Sequence, residues 1–323
     1  MRALMRAIGG YFELELANTG GFIHDDGLCV NSGRNAFELI LRNLPDCSKV
    51  YVPLYTCEVV LEPLLKLNIP YTFYSINSKL ELADELRLDE SDYLLYTNYF
   101  GVKDSYVCEL SKKYAEKLIV DNAQALYAKP TEKCFYSPRK FMGIPDSGVA
   151  YFDGLVSLNA YDQDVSYERC AHLLKRIDVG AEIGYSDFRN NSEMFKGLPI
   201  RQMSNLSRAL LCSIDFESVR RIRIENFKIL HSALRDTNLL TLEQIENLTC
   251  PMVYPYMTDD RGLRKKLIDN RIFVAQYWPN VTEWCSSESL EFDMVDRIVP
   301  LPIDQRYTTD DMEMIIKLIK YGN

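Results

Sequence analysis

The sequence has few histidines and no pattern of metal-ligating residues. Only three histidines occur, His24, His172 and His231, and none has a second metal-binding residue four positions further along. The nine cysteines are scattered, their number is odd and no Cys-x-x-Cys pair is present. This pattern predicts reduced thiols in a cytoplasmic protein, with neither disulfide bonds nor a metal site.

An excess of positive charge and long apolar runs are also missing. The net charge is −9, which argues against nucleic acid or an anionic membrane as a partner. No run approaches the roughly eighteen uncharged apolar residues that cross a membrane. The start, MRALMRAIGGYFELEL, lacks the continuous apolar segment of a signal peptide. We therefore expect a soluble, cytoplasmic protein that binds small molecules through local positive groups.

The first half of the chain alternates between short apolar runs of β type and helical patterns. Such alternation predicts βαβ units and a mostly parallel sheet with helices on both faces, a three-layer α/β architecture. The predicted strands are Lys49–Pro53, Tyr71–Ile76, Tyr93–Asn98, Leu118–Asp121 and Val149–Phe152, and the predicted helices are Asn35–Arg42, Glu58–Leu67 and Ser105–Glu116.

The pattern changes after Phe152. The stretch to Lys196 is polar and is predicted to be irregular, apart from a helix at Tyr167–Arg176. We expect a large domain at residues 1–213 and a small α+β domain at residues 214–323. The remaining predicted elements are helices Met203–Ser213, Phe216–Leu234, Gly262–Asn270 and Thr309–Tyr321, and strands Met252–Tyr256 and Ile272–Gln276.

Two sequence features could bind the charged groups of a ligand. Ser32 and Gly33 precede a helical pattern, so the amides at the helix N-terminus could bind a phosphate, although Ser-Gly before a helix is usually only a cap. Asp121 ends an apolar strand, and a buried carboxylate there needs a cation. The protonated ring nitrogen of a pyridoxal cofactor is one such cation, while a cap on the following helix is the alternative.

Two further features lie where other strands begin or end. Lys140 follows Ser137 in a turn-rich segment before a strand, and a lysine in a partly apolar pocket can form a Schiff base. A surface lysine is the alternative. Tyr55 lies in the turn Pro53-Leu54-Tyr55-Thr56-Cys57, where it could flank a planar ring or simply pack in the core.

The order and spacing of these features resemble the DegT-like nucleotide-sugar aminotransferase family, which has the fold type I architecture of pyridoxal-phosphate enzymes. The resemblance runs along most of the chain. The segments that carry it are Ser32-Gly33-Arg34-Asn35-Ala36, similar to Ser-Gly-[Thr/Arg]-x-Ala; Val52–Thr56, similar to a Pro-x-x-Thr-aromatic turn; Asp121–Gln124, similar to Asp-x-Ala-Gln; Ser137–Lys140 with Asp146-Ser147-Gly148, similar to Ser-x-x-Lys and Asp-Gly-Gly; and Arg201–Leu206, Tyr277–Pro279 and Leu301–Asp304 near the C-terminus.

The resemblance implies a role for each matching residue. Lys140 would hold pyridoxal 5′-phosphate as a Schiff base and then move a proton between substrate and cofactor. Asp121 would keep the ring nitrogen protonated, and Gln124 would hydrogen-bond the phenolic oxygen. Ser137 and the segment Ser32–Asn35, which includes Gly33 and Arg34, would hold the phosphate. The implied reaction transfers an amino group from glutamate to a nucleotide-linked keto-sugar in a homodimer.

Two positions depart from the family's pattern. The aromatic residue that stacks on the ring falls at Cys57, so Tyr55 or Tyr99 is expected to replace it. The family's Asn-Tyr-Arg, whose asparagine reaches the neighbouring subunit's phosphate, is replaced around Pro199-Ile200-Arg201. Two other functions stay open: a pyridoxal-phosphate sugar dehydratase or lyase, against which Lys140 counts, and a non-catalytic descendant that binds a nucleotide sugar or a partner protein.

Overall fold

A computed structural model describes residues 8–154, 156–242 and 247–322 of the chain. Its main sheet has seven strands in the order β1-β7-β6-β5-β4-β2-β3. The strands of this sheet are β1 Leu28–Val30, β2 Lys49–Pro53, β3 Tyr71–Tyr74, β4 Asp92–Thr97, β5 Leu118–Asn122, β6 Cys134–Tyr136 and β7 Gly148–Tyr151.

Helices cover the main sheet and continue into the C-terminal third. Helices α1 to α3 are Gly33–Arg42, Leu61–Lys66 and Asp104–Tyr114, and α4 to α7 are Ala171–Asp178, Ala181–Glu193, Asn205–Cys212 and Phe216–Leu234. Helices α8 to α11 are Leu263–Asp269, Val281–Trp284, Leu290–Arg297 and Thr309–Tyr321, and strands β8 Tyr254–Met257 and β9 Ile298–Leu301 form a second, antiparallel sheet. Each helix of the described segments is too short or too polar to cross a membrane.

The sheet is parallel from β3 through β2, β4 and β5 to β6, and only β7 and its neighbours pair in antiparallel fashion. Every residue of β4 and β5 is buried, as the apolar runs predict for strands covered on both faces. The predicted fold class is therefore confirmed. Because β2, β4, β5 and β6 are mutually parallel, their carboxyl ends meet at one edge, where open α/β sheets bind ligands.

The second half of the chain contradicts two local predictions. Residues 272–276 form no strand; the amide of Ile272 instead donates to Leu267 O at the end of α8, and β8 pairs with β9. The stretch before Lys196 is not irregular, because α5 spans Ala181–Glu193. The large apolar side chains of α5 are exposed, and its sequence accordingly lacks the apolar stripe that marks a helix with a buried face. The domain boundary near Ser213 remains a prediction; it falls in the break between α6 and α7.

Gly148 begins β7 where that strand passes the N-terminus of α1. A Cβ atom at this position would lie 2.0 Å from the carbonyl oxygen of Ser32 and 2.7 Å from the amide nitrogen of Gly33. Both contacts are to backbone, which cannot turn aside as a flexible side chain can. The close approach of β7 to the Ser32-Gly33 turn therefore requires glycine at position 148.

We expect Gly148→Ala to lower the free energy of unfolding by about 1–3 kcal/mol, as overpacking does elsewhere. Urea unfolding monitored by circular dichroism measures the change. Gly143→Ala is the matched control, because its Cβ would meet only the side chain of Leu173, at 3.6 Å. Equal losses in the two variants would contradict the steric account.

Candidate active site

A cavity opens at the carboxyl edge of the main sheet. Its empty volume, with the solvent-filled mouth included, is about 730 Å³. Thr56 follows β2, Thr97 ends β4, Asp121 lies at the end of β5 and Lys140 follows β6, and all four line the cavity. Four parallel strands thus deliver their polar end residues to one place.

Asp121 places a buried carboxylate in the wall of this cavity. The side chain is 5 % exposed, and its Oδ1 accepts a hydrogen bond of 2.8 Å from the amide of Ala123. Burial raises the pKa of the carboxyl, while the positive charge of Lys140 and the Ala123 amide act in the opposite direction. A carboxylate in this position is stabilised by a cationic group in the cavity.

Three other buried groups of the cavity wall have unused polar atoms. Nε2 of Gln124, Oγ1 of Thr56 and Oγ1 of Thr97 find no hydrogen-bond partner in the described part of the chain. The side chain of Gln124 is held by its Oε1, which accepts from the amide of Phe100 at 2.8 Å. Its free NH₂ group is therefore an oriented donor. Buried polar atoms without partners are costly in a finished site, so these atoms indicate the binding of a polar ligand.

The N-terminus of α1 lines one side of the cavity. Ser32 caps the helix by accepting a hydrogen bond from the amide of Asn35 at 3.2 Å, and Gly33 packs against Ser137. Helix N-termini attract phosphate through their free amides and dipole. The guanidinium of Arg34 is paired with Glu62 at 2.6 Å, so Arg34 offers its backbone amide to a ligand more readily than its side chain.

Lys140 is the last residue of a short 3₁₀ turn, and the residues before and after this turn are held in place by the fold. Pro138 starts the turn, and the buried side chains of Phe141 and Met142 follow it. The carbonyl oxygen of Phe141 accepts hydrogen bonds of 3.2 Å from Arg223 of α7 and from Gln305. The exposed side chain of Lys140 therefore extends into the cavity from a backbone that two later segments hold in place.

Cys57 also lines the cavity, at the position where the resemblance places an aromatic residue. Burial raises the pKa of its thiol, and the nearby charge of Lys140 lowers it in part. The thiol therefore stays neutral, and its small size leaves space over this part of the cavity.

Trp278 and Arg139 also line the cavity, although the segments that contain them, Tyr277–Pro279 and Ser137–Lys140, gave neither residue a role. Trp278 comes from the C-terminal third and has a left-handed φ of 56°, a conformation that costs free energy for any residue but glycine. Its segment is tied to the strand ends by Asn280, which donates to Thr56 O at 3.0 Å. The signals in the sequence were that Trp278 is one of two tryptophans and that Arg139 precedes Lys140.

Two predicted cofactor residues do not reach the cavity. Asn35 is buried behind the N-terminus of α1, where its amide donates to Asn31 Oδ1 at 2.7 Å and to Pro199 O at 2.9 Å. Tyr55 is fully buried and packs edge-on against Trp278, with ring centroids 4.7 Å apart. Tyr99, the other candidate for stacking, is fully buried beside Tyr55. Ser32, Gly33, Arg34, Asp121, Gln124, Ser137 and Lys140 do line the cavity.

Sequence comparison finds no matching family model and no matching curated protein. The structure, however, is similar to solved sugar aminotransferases. Against apo Spr1654, a sugar aminotransferase of Streptococcus pneumoniae, the TM-score is 0.64 at 13 % identity, covering 91 % of this chain and 85 % of that one. Against S. venezuelae DesV in complex with a ketimine intermediate, it is 0.61 at 17 % identity, covering 92 % and 84 %.

A DegT DnrJ EryC1 StrS aminotransferase from Brucella abortus gives a TM-score of 0.59 at 15 % identity, with 91 % of this chain and 84 % of that one covered. Spr1654 has also been solved in PLP and PMP forms, which are similar to this chain at 14 % identity. The resemblance read from the motifs is thereby confirmed at the level of architecture. This chain has the fold of the DegT-type, pyridoxal-phosphate-dependent sugar aminotransferases.

Proposed function

We propose that this protein is a pyridoxal-phosphate-dependent aminotransferase that moves an amino group from glutamate to a nucleotide-linked keto-sugar. The observation that carries the proposal is the presence of Lys140, the buried Asp121 and the N-terminus of α1 around one cavity. A primary amine, a buried carboxylate and an anion site are the three groups that this cofactor requires.

The unused polar atoms of the cavity fit the same cofactor. Asp121 would hold the proton on the ring nitrogen, which supplies the cation that the buried carboxylate needs. The free NH₂ group of Gln124 is a donor suited to the phenolic oxygen. The amides of Gly33 and Arg34, with the hydroxyl of Ser137, would bind the phosphate.

The side chains of this chain also define the proton transfers of the reaction. When bound, the cofactor supplies an electron sink for the charge that develops at the amino-bearing carbon. Lys140 would hold the cofactor through its Nζ. Once released, the same amine would take the proton from the donor's α-carbon and deliver it to the cofactor's carbon, as a general base and then a general acid. Asp121 would keep the ring nitrogen protonated throughout.

A second cleft beginning at Lys140 supports the proposed acceptor. It measures about 1560 Å³ with its open mouth, and Arg176, Tyr185 and Phe188 line it, together with Arg306, which is paired there with Asp304 at 2.7 Å. Arginines bind phosphate or carboxylate groups, and aromatic faces pack against a base or a sugar. Such a lining suits an extended anionic acceptor, and its arginines also suit the carboxylates of glutamate.

Because Cys57 has no aromatic ring, another residue would have to stack on the planar ring of the cofactor. Four aromatic side chains of the described residues line the cavity that contains Asp121, Lys140 and Cys57. They are Trp278, Phe37, Phe135 and Phe195. We assign ring stacking to Trp278 because its side chain lines the cavity into which Cys57 offers no aromatic ring. The C-terminal part of the chain would then contribute directly to cofactor binding.

A homodimer and a cytoplasmic location are further parts of the proposal. Large apolar side chains are exposed on α4 and α5 and in the segment near residue 10, which supports contact with a second copy. Ultracentrifugation of the purified protein tests the assembly, and a monomer at micromolar concentration would exclude a stable dimer. The exposed apolar side chains are Leu174, Ile177, Ile183, Tyr185, Phe188, Ile8, Tyr11 and Phe12.

Absorption spectroscopy tests the proposed reaction in two steps. We expect pyridoxal phosphate to give a visible band in the wild type that is absent from Lys140→Ala, because Lys140 is the one lysine among the described residues that line the cavity. Glutamate should then convert this band to the shorter-wavelength amine form and release 2-oxoglutarate. A band that does not respond to any amino acid would exclude transamination, and no band in the wild type would favour a non-catalytic binder.

The two tryptophans give a matched test of ring stacking. We expect Trp278→Leu to raise the dissociation constant of pyridoxal phosphate about tenfold, the effect of one lost aromatic contact. Trp278→Phe should restore most of the affinity and the visible circular dichroism of the bound cofactor. Trp284→Leu is the control, because Trp284 stacks on Phe73 at 4.9 Å. Similar losses at both positions would contradict a direct role for Trp278.

A further inference from the structure

Arg139 is a partly buried cation that lacks an acidic partner. Neighbouring arginines are paired: Arg34 with Glu62 at 2.6 Å, and Arg169 with Asp164 at 2.7 Å. Among the described residues no carboxylate forms an ion pair with Arg139, whose guanidinium donates only to the neutral hydroxyl of Ser192, at 3.3 Å. A buried charge without a counter-charge is unfavourable, so the site as it stands favours the arrival of an anion.

The surroundings of Arg139 add to its positive potential. Burial lowers the pKa of Arg139 to about 10, and the charges of Arg34 and Arg169 act in the same direction, while Asp146 opposes them. Asp146 is already committed, because its carboxylate accepts hydrogen bonds from Ser204 and Ser207. Three guanidinium groups thus lie close together, and the carboxylate nearest to Arg139 does not neutralise its charge.

An aromatic support fixes the position of this guanidinium. The carbon Cζ of Arg139 lies 4.5 Å from the ring centroid of Phe195, and Arg169 lies 5.3 Å from the same centroid. Phe195 is 1 % exposed and lines the cavity together with Arg139. A cation held over a buried ring loses little further conformational freedom when it binds a ligand.

The remaining anion-binding groups lie in the same wall. Ser137, two positions before Arg139, packs against Gly33 at the first turn of α1, and all three residues line the cavity. The amides of α1 and the hydroxyl of Ser137 supply dipoles but no full positive charge, and Arg34 is neutralised by Glu62. Arg139 is therefore the group that can balance a dianion bound there.

We propose that Arg139 is the cationic ligand of the cofactor's phosphate and that it is supplied by the same chain that carries Lys140. The inference rests on the proposed cofactor. It adds a positioning residue: Arg139 fixes the phosphate end, and the adjacent Lys140 bonds the aldehyde end. A planar guanidinium can bind two phosphate oxygens at once, which a point charge cannot do as well.

Pyridoxal without its phosphate separates this role from a general structural one. We expect Arg139→Met to weaken pyridoxal phosphate binding about 10- to 100-fold, as for a lost charge-assisted contact, and to change pyridoxal binding less than about twofold. Arg139→Lys should recover part of the loss. Titrations of the visible band give both dissociation constants, and Arg221→Met, which alters an exposed arginine of α7 paired with Glu225 and outside both clefts, should leave both unchanged.

The possible results lead to different conclusions. A loss restricted to the phosphorylated ligand supports the assignment. Equal losses for both ligands, or no loss for either, would overturn it while leaving the proposed function intact. A wild-type protein that gives no band with either ligand would reject the cofactor itself, and the role of Arg139 with it. Thermal unfolding of each cofactor-free variant verifies that all of them fold.

Discussion

The buried carboxylate of Asp121 is the constraint on which the rest of the site depends. It lies at the end of a fully buried strand, and burial raises its pKa because water cannot solvate its charge there. A hydrophobic core alone gives no reason for an acid in this position. The proposed cofactor, with a protonated aromatic nitrogen beside Asp121, gives one explanation for Lys140, the free donor of Gln124 and the turn at Ser32 in the same cavity.

Local patterns in the sequence contained much of this arrangement. The apolar runs predict β2 and α11 with their observed bounds, and the motifs at Ser32, Asp121 and Lys140 place groups that the parallel sheet then brings to one edge. The sequence does not predict α5, whose large apolar side chains are exposed. It predicts a strand at 272–276, because apolar content alone does not show whether a neighbouring strand is available for pairing.

Sequence patterns do not predict the role of a residue that lies far along the chain from the rest of the site, or of one whose residue type is common on protein surfaces. Trp278 reaches the cavity only because its segment folds back onto Thr56, a contact across more than two hundred residues. Arg139 stands out only when the pairings of Arg34 and Arg169 are known. Conversely, Tyr55 and Asn35 lie within motifs whose other residues reach the cavity, yet their own side chains pack elsewhere.

The most direct test of the account is the location of the covalent bond to the cofactor. The wild-type protein would be loaded with pyridoxal phosphate, reduced with borohydride and digested, and the labelled peptide identified by mass spectrometry. The account predicts one pyridoxyl group per chain, on Lys140, because this lysine shares its cavity with Asp121 and the N-terminus of α1. Label spread over surface lysines, or a single label elsewhere, would contradict it.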